Sequence, residues 1–322
     1  MHEIIKGTDV ERDLVKLEDI LQDAIKSEEP ELSRMCGHVL FSGGRRIRPT
    51  MGIVVYKANW GRSVEEFLPV TAALELIHTA NLIHEDLIYK APTHLGAPSM
   101  HKMFGKNESI VAADFLYAKA FGLCTHYGPD ILNMAVKACV RLAEGELLMI
   151  RNSLRETSVE EYLEIITRKY ADTFSWTTRA AAWIARAHLP KLESMEVLGQ
   201  HLGLANQLID DYLDLTGSEC TGEPKGTEVL QGKPTLPIIR ARDQLSDKTK
   251  KQLLDLYKKR KRDRNDVKRI MRLVSTTDGL EFTKQKAADL VEASLKEVDK
   301  LDETPYKKML THLCQHVVDR CG

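Results

Sequence analysis

The feature that most limits what this chain can fold into is the persistence of helical spacing among its apolar residues. Val70, Leu74, Ile77 and Leu82 recur with their neighbours at three- and four-residue intervals, and Tyr162, Ile165, Ile166 and Tyr170 do the same. That period lines side chains along one face of an α-helix. No stretch alternates apolar and polar residues persistently enough to read as a strand. Between the periodic segments stand residues that end helices: Ser42-Gly43-Gly44, Asn59-Trp60-Gly61, Ala91-Pro92, Gly96-Ala97-Pro98, Tyr127-Gly128-Pro129 and the Gly/Pro-rich run 217–237. The pattern predicts an all-α bundle of roughly ten or more helices. No solenoid-period repeat or low-complexity linker divides the chain, so the expectation is one domain over residues 1–322.

Hydrophobic residues make up 43% of the chain, ample for a sizeable core. Lys plus Arg (46) nearly balance Asp plus Glu (47), so no field of one sign argues for nucleic acid, and charged partners must be recognised locally. The most basic segment, Lys258 to Arg269, is interrupted by Asp263 and Asp266 and carries no aromatic residue, which favours a solvated helix end or loop. Cys36, Cys124, Cys139, Cys220, Cys314 and Cys321 are scattered without C-x-x-C or zinc spacing and read as reduced thiols of a cytoplasmic protein. The most apolar stretch, Phe67 to Ile83, is broken by Glu75 and His78, and the N-terminus has no export pattern, so neither a membrane span nor export is expected. The C-terminal Arg320-Cys321-Gly322 is not a prenylation signal.

Acidic residues cluster where the apolar periodicity is strongest. Asp210, Asp211 and Asp214 lie in Gln-Leu-Ile-Asp-Asp-Tyr-Leu-Asp-Leu, and helical spacing puts Asp210 and Asp214 on one face. Stacked carboxylates repel one another and need a neutralising partner. A hard divalent cation meets that need, and so does a structural network of Lys and Arg. Glu85 and Asp86, in Leu-Ile-His-Glu-Asp-Leu-Ile, are candidates to complete a multinuclear site, and His78 lies two turns before Glu85 on about the same face. A lone histidine there is more often a core residue than a ligand.

A different chemistry gathers at Phe41-Ser42-Gly43-Gly44-Arg45-Arg46-Ile47-Arg48-Pro49, where a glycine turn precedes three guanidiniums. Arginine forks suit phosphate oxygens, and a glycine turn lets the backbone approach an anion. No Walker loop and no G-x-G-x-x-G occurs, which counts against nucleotide cofactors. Acid clusters together with an arginine turn suggest a diphosphate held through metal on one side and directly by protein on the other.

Taken together these segments resemble the trans-isoprenyl diphosphate synthase, or polyprenyl synthetase, family. The resemblance is carried, in the family's order, by Gly43-Gly44-Arg45-Arg46-Ile47-Arg48-Pro49, Glu75-Leu76-Ile77-His78-Thr79, His101-Lys102-Met103-Phe104-Gly105, Ala112-Ala113-Asp114-Phe115-Leu116, Gln207 through Asp214, and Gly232-Lys233-Pro234-Thr235-Leu236-Pro237. It implies an isoprenoid-synthase-type bundle of helices around a central cavity, with the two acidic segments facing each other near its mouth. It also implies Mg2+ as cofactor and a homodimer, with a heterodimer with a more typical synthase as the other possibility. Members ionise an allylic diphosphate and add the carbocation to isopentenyl diphosphate. Carried over, Arg45, Arg48 and His78 bind isopentenyl diphosphate, Lys169 and Lys233 grip the allylic diphosphate, and Gln207 faces the reacting chain. Glu85, Asp86, Asp210 and Asp214 hold magnesium, with Asp211 in support. Retention of Arg45, Arg48 and His78 disfavours a terpene cyclase.

The chain departs from the family pattern around the first acidic motif. Where D-D-x-x-D is usual it reads Glu85-Asp86-Leu87-Ile88-Tyr89, followed by Lys90, and the usual arginine pair before glycine is His94-Leu95-Gly96. Lys169-Tyr170 replaces Lys-Thr, and Gly222-Glu223 stands where Gly-Lys is common, with Lys225 close enough to compensate. Each charge-assisted hydrogen bond lost to diphosphate costs roughly 1.5–3 kcal/mol. Two expectations follow. One is an active prenyltransferase in which Lys90 or His94 partly replaces the missing cations. The other is an impaired subunit that serves a partner synthase. Four or five positions before the first motif, where the family often places a bulky residue on the cavity floor, this chain has Asn81 and Ala80, and by that resemblance the small Ala80 implies an open floor and a product of about C20 or longer.

Overall fold

The computed structural model describes residues 2–44, 46–61, 63–94, 96–152, 157–217, 225–259 and 261–320. Among the described residues it is all-α apart from two two-residue strands, Thr93–His94 and Ala97–Pro98, which pair antiparallel. No helix among them is long and apolar enough to cross a membrane. The chain forms two compact units: one of residues 1–140, 173–199 and 295–313, the other of residues 141–172, 200–294 and 314–322.

In the first unit the helix Leu68–Ile88 is buried on nearly every face, as its mostly apolar sequence requires. It packs most extensively against the helix Lys106–Cys124. Both contribute buried alanines, Ala72, Ala73 and Ala80 on one and Ala112, Ala113 and Ala120 on the other, small side chains that let two helices approach closely. The helix Ile47–Ala58 is held just as tightly. A Cβ on Gly52 would lie 2.8 Å from the Thr177 methyl and 3.0 Å from the Phe67 ring, and Tyr56 stacks on Phe67 with centroids 5.4 Å apart. Full burial of each large apolar side chain here is worth about 1.5–3 kcal/mol, and Ile53, Val54, Leu74, Leu76 and Ile77 are all at 0–1% exposure.

The second unit has its own apolar centre, formed by Leu215, Val229, Ile238, Leu253, Leu256, Tyr257, Val267 and Ile270 among others. Its helices start on side-chain caps: Ser158 and Glu161 form a capping box at Val159–Ile166, and Asp263 and Asp266 form another at Arg264–Val274. The basic run expected as a solvated helix end joins Asp247–Tyr257 to Arg264–Val274. One of its residues turns inward: Arg262 donates to the backbone carbonyls of Val229 (2.8 Å), Lys259 (2.7 Å) and Tyr257. Directly after Val159–Ile166 the backbone widens into a π-helical turn, Thr167–Ala171, a local irregularity frequent at functional sites.

Candidate active site

Both acidic segments lie in the last turns of long helices. Glu85 and Asp86 precede the end of Leu68–Ile88, and Asp210, Asp211 and Asp214 precede the end of Leu189–Thr216. Neither helix carries a basic residue in its last turn. The exposed carbonyls of a helix C-terminus carry partial negative charge, so carboxylates there are destabilising unless a cation offsets them. This placement opposes stability and favours cation binding.

In the first unit Gly43 and Gly44 adopt φ values of 130° and 119°, which only glycine takes without strain. Arg45 lies outside the described residues. The arginines on either side of Ile47 have different tasks. Arg46 is spent on structure, donating to Glu18 at 2.7 and 3.0 Å, to Glu75 at 2.9 Å and to the Leu40 carbonyl at 2.9 Å. Arg48 is half-buried, with its guanidinium 4.7 Å from the Phe174 ring centroid and its Nε donating to Thr173 Oγ1 at 3.3 Å. His78 is half-buried between the buried Ile77 and Thr79.

Glu85 and Asp86 are buried at 8% and 9% exposure, and Glu85 accepts from Asn81 Nδ2 at 3.0 Å. The Asp86 charge reaches His101, where it opposes the burial and the Lys102 charge that together hold that imidazole below its ordinary range. Tyr89, in the place of a third carboxylate, is the C-cap residue of the helix, and Lys90 follows with φ 56°. His94 lies in the first short strand.

In the second unit the three aspartates divide their roles. Asp210 accepts from Arg320 Nη1 at 3.1 Å and from Asn206 Nδ2 at 3.0 Å, while its side chain keeps 36% exposure. Asp211 is fully buried and accepts from the Tyr162 hydroxyl, from Gln207 Nε2 at 3.0 Å and from the Leu236 N–H at 3.2 Å. Burial pushes its carboxyl up to about 7 against the pull of those donors. Asp211 therefore serves as an inner hub, and Gln207, expected to face the reacting chain, has its amide committed to that hub. Asp214 accepts from the Glu228 N–H at 3.2 Å, and its carbonyl accepts from the Gly226 N–H at 2.7 Å. These bonds return the chain to the acidic helix after residues 218–224. That segment includes Gly222 and Glu223 and lies outside the described residues.

Burial first, and then the charge of Asp211, drive the Glu228 carboxyl well above its ordinary range, while Lys233, 4.0 Å away, pulls it back. Lys169, in the π-helical turn, has a fully buried ammonium paired with Glu146 and 5.3 Å from the Tyr170 ring centroid. The Lys-Tyr sequence thus gives the cation an aromatic face. The α-helix bearing Glu146 approaches this turn closely because Gly145 has no Cβ, which would lie 2.8 Å from Lys169 Cγ. Lys225 is exposed, and its stem crosses Gly217, where a Cβ would collide with Cε.

Tyr162, Glu146, Asn206 and Arg320 join the site only in the folded structure. Asn206 had a usable signal. Asn81 precedes Glu85 by one turn, Asn206 precedes Asp210 and Gln207 precedes Asp211, and each carboxamide donates to its acid. That is the i,i+4 pairing helical neighbours make.

The donor chemistry fits a hard cation. Asp210 and Asp214 are part-exposed carboxylates on one face, and Asp211 is turned inward. Among the described residues no group of three or more His, Cys, Asp or Glu side chains forms a ready-made cage. Magnesium commonly uses one or two carboxylates and completes its shell with waters and substrate phosphates.

A model of the polyprenyl synthetase family matches residues 29–274. The chain is 32% identical over 249 residues to a short chain isoprenyl diphosphate synthase of Methanocaldococcus jannaschii, covering 76% of each. It is 26% identical to the octaprenyl diphosphate synthase of Escherichia coli over 96% of each chain. Among solved structures, a polyprenyl synthase from Caulobacter crescentus, complexed with calcium and isoprenyl diphosphate, superposes with a TM-score of 0.91 at 28% identity, over 99% of this chain and 97% of that one.

Proposed function

Because the chain belongs to the polyprenyl synthetase family, a family of prenyltransferases, we propose that it is a single-domain, magnesium-dependent trans-prenyltransferase. It condenses isopentenyl diphosphate with an allylic diphosphate to a product of about C20 or longer and works as a cytoplasmic homodimer. The observation that carries this reading is the crowding of Asp210, Asp211, Asp214 and Glu228 near one helix C-terminus with no last-turn base.

Asp210 and Asp214, with Asp211 in support, are the magnesium ligands we assign to the second acidic helix, and Glu85 and Asp86 those we assign to the first. Magnesium, when bound, would supply positive charge that stabilises the diphosphate group as a leaving group when the allylic C–O bond breaks. Lys169 and Lys233 bind the allylic diphosphate, and Lys225 and His94 are assigned to the substrate-binding set. Arg45, Arg48 and His78 bind the diphosphate of the isopentenyl partner. Glu146 pairs with the buried Lys169 ammonium and aims it. Support for the longer product comes from Ala80, fully buried with no bulk, and from the likeness to an octaprenyl diphosphate synthase.

The test is turnover of labelled isopentenyl diphosphate with C5, C10, C15 and C20 allylic diphosphates, with and without magnesium. Magnesium-dependent elongation is expected, with Asp210→Ala lowering kcat by at least about 100-fold, the scale of losing a group that stabilises developing charge. Tyr89, at the place of a third carboxylate, favours a second reading, a subunit impaired on its own. No elongation with any primer, restored by adding a typical synthase, would move the conclusion there.

A further inference from the structure

We propose that Arg320 is a positioning residue for the metal-ligating carboxylate of Asp210, so that metal binding and docking of the C-terminal segment stabilise one another. The inference rests on the reading of Asp210 as a magnesium ligand.

Arg320 directly follows the helix Pro305–Asp319. Its side chain is 3% exposed, and it donates through Nη1 to Asp210 Oδ1 at 3.1 Å and through Nη2 to the Asn206 carbonyl at 3.3 Å. Asn206 completes the arrangement by donating to Asp210 Oδ2 at 3.0 Å. Each carboxylate oxygen therefore accepts a bond from this pair of side chains, and the Asp210 side chain keeps 36% exposure. An ion pair serving stability alone has no need of this asymmetry, with the cation 3% and the anion 36% exposed. A guanidinium cannot ligate a metal, but its planar fork fixes the rotation of the carboxylate it binds. Partners of this kind behind a ligating group commonly change metal affinity by about 10–100-fold when removed. Coupling is reciprocal: if Arg320 improves Asp210 as a ligand, the bound metal must hold Arg320 and its backbone more firmly.

The experiment titrates Mn2+, as a magnetic stand-in for magnesium, into the full chain, reading the unbound ion by electron paramagnetic resonance in the presence of inorganic pyrophosphate. Arg320→Met is expected to weaken binding by about 10–100-fold, and Arg320→Lys by less. In the wild type, magnesium with pyrophosphate is expected to slow amide hydrogen exchange over residues 314–319, and in Arg320→Met to leave it unchanged. Equal or tighter Mn2+ binding by Arg320→Met would overturn the proposal, the tighter result marking Arg320 as a competitor of the metal. Asp210→Asn separates the two readings. If it leaves Mn2+ affinity intact, the metal assignment of Asp210 falls, and with it this inference. If it weakens binding while Arg320→Met does not, the inference alone falls. Should Arg320→Met fail to fold, Arg320→Lys and the wild-type exchange measurement decide, and exchange indifferent to the metal would count against coupling.

Discussion

A single residue can report whether the proposed chain-length reading is sound. Ala80 is fully buried in the helix Leu68–Ile88, one residue before Asn81, which braces Glu85. Replacing it with phenylalanine adds a ring to a packed neighbourhood, at a cost of typically about 1–3 kcal/mol from overpacking. If Ala80 borders the growing chain, the ring shortens the product, and chromatography of the extracted prenyl alcohols should move toward C15. An Ala80→Phe protein that folds and returns the wild-type products would remove the residue from length control. At this scale legibility followed sequence distance. Asp210 and Asp214 could be placed on one face from their spacing, since a helix fixes the geometry of i,i+4 neighbours. Arg320 stands 110 residues from Asp210 and Tyr162 stands 49 from Asp211, and no local rule brings such pairs together. The resemblance selects Arg45 and Arg48 and passes over Arg46, but only the folded positions of Glu18 and Glu75 give the physical reason, that Arg46 is occupied.

At the scale of the helix, charges at ends decide both function and acid stability. Asp9 opens the helix Asp9–Ala24, where the dipole favours an anion. It accepts from Lys57 at 2.5 Å and from the Tyr306 hydroxyl at 2.6 Å, tying together three helices of one unit. Burial alone would raise its carboxyl, but the bonds from Lys57 and Tyr306 together outweigh burial and hold it below its ordinary value of 3.8. A depressed carboxyl contributes stability that is present above 3.8 and is lost as pH falls through its lower folded value. Asp9 keeps about a third of its surface in water, so screening limits the contribution to roughly 0.5–1 kcal/mol. Asp9→Asn should therefore lower the urea midpoint at pH 7, and the gap from wild type should close as pH drops below 3.8. A gap independent of pH would assign the loss to packing. Helix boundaries near Gly43-Gly44 and Ala91-Pro92 were legible from their breakers. The π-helical turn at Thr167–Ala171 was not, because nothing in Thr-Arg-Lys-Tyr-Ala distinguishes it from an ordinary helix. The inward turn of Arg262 was equally hidden within a run whose composition reads as solvated.

For the whole molecule the proposed homodimer makes a demand on the surface. The helix Gly128–Asn152 exposes Val136, Val140, Leu147 and Ile150 at 43–52%, and helical spacing puts all four on one face. Scattered exposed apolar residues need no explanation, but a stripe along one long helix is the signature of a surface that another chain covers. A second copy is the occupant the proposed function requires, and a twofold contact makes the same stripe meet itself. A charge at its middle then appears twice in the interface, once from each chain, and desolvating an unpaired carboxylate costs several kcal/mol. Val140→Glu combined with Leu147→Glu should leave the fold intact, since both side chains are exposed, and should shift the mass measured by light scattering from dimer to monomer at micromolar concentration. A wild-type chain that elutes as a monomer, or a double variant that stays dimeric, would take this face out of the assembly. If the wild-type monomer acquires a stable mass only on mixing with a typical prenyl diphosphate synthase, the stripe belongs to a heterodimer and the impaired-subunit reading gains the argument.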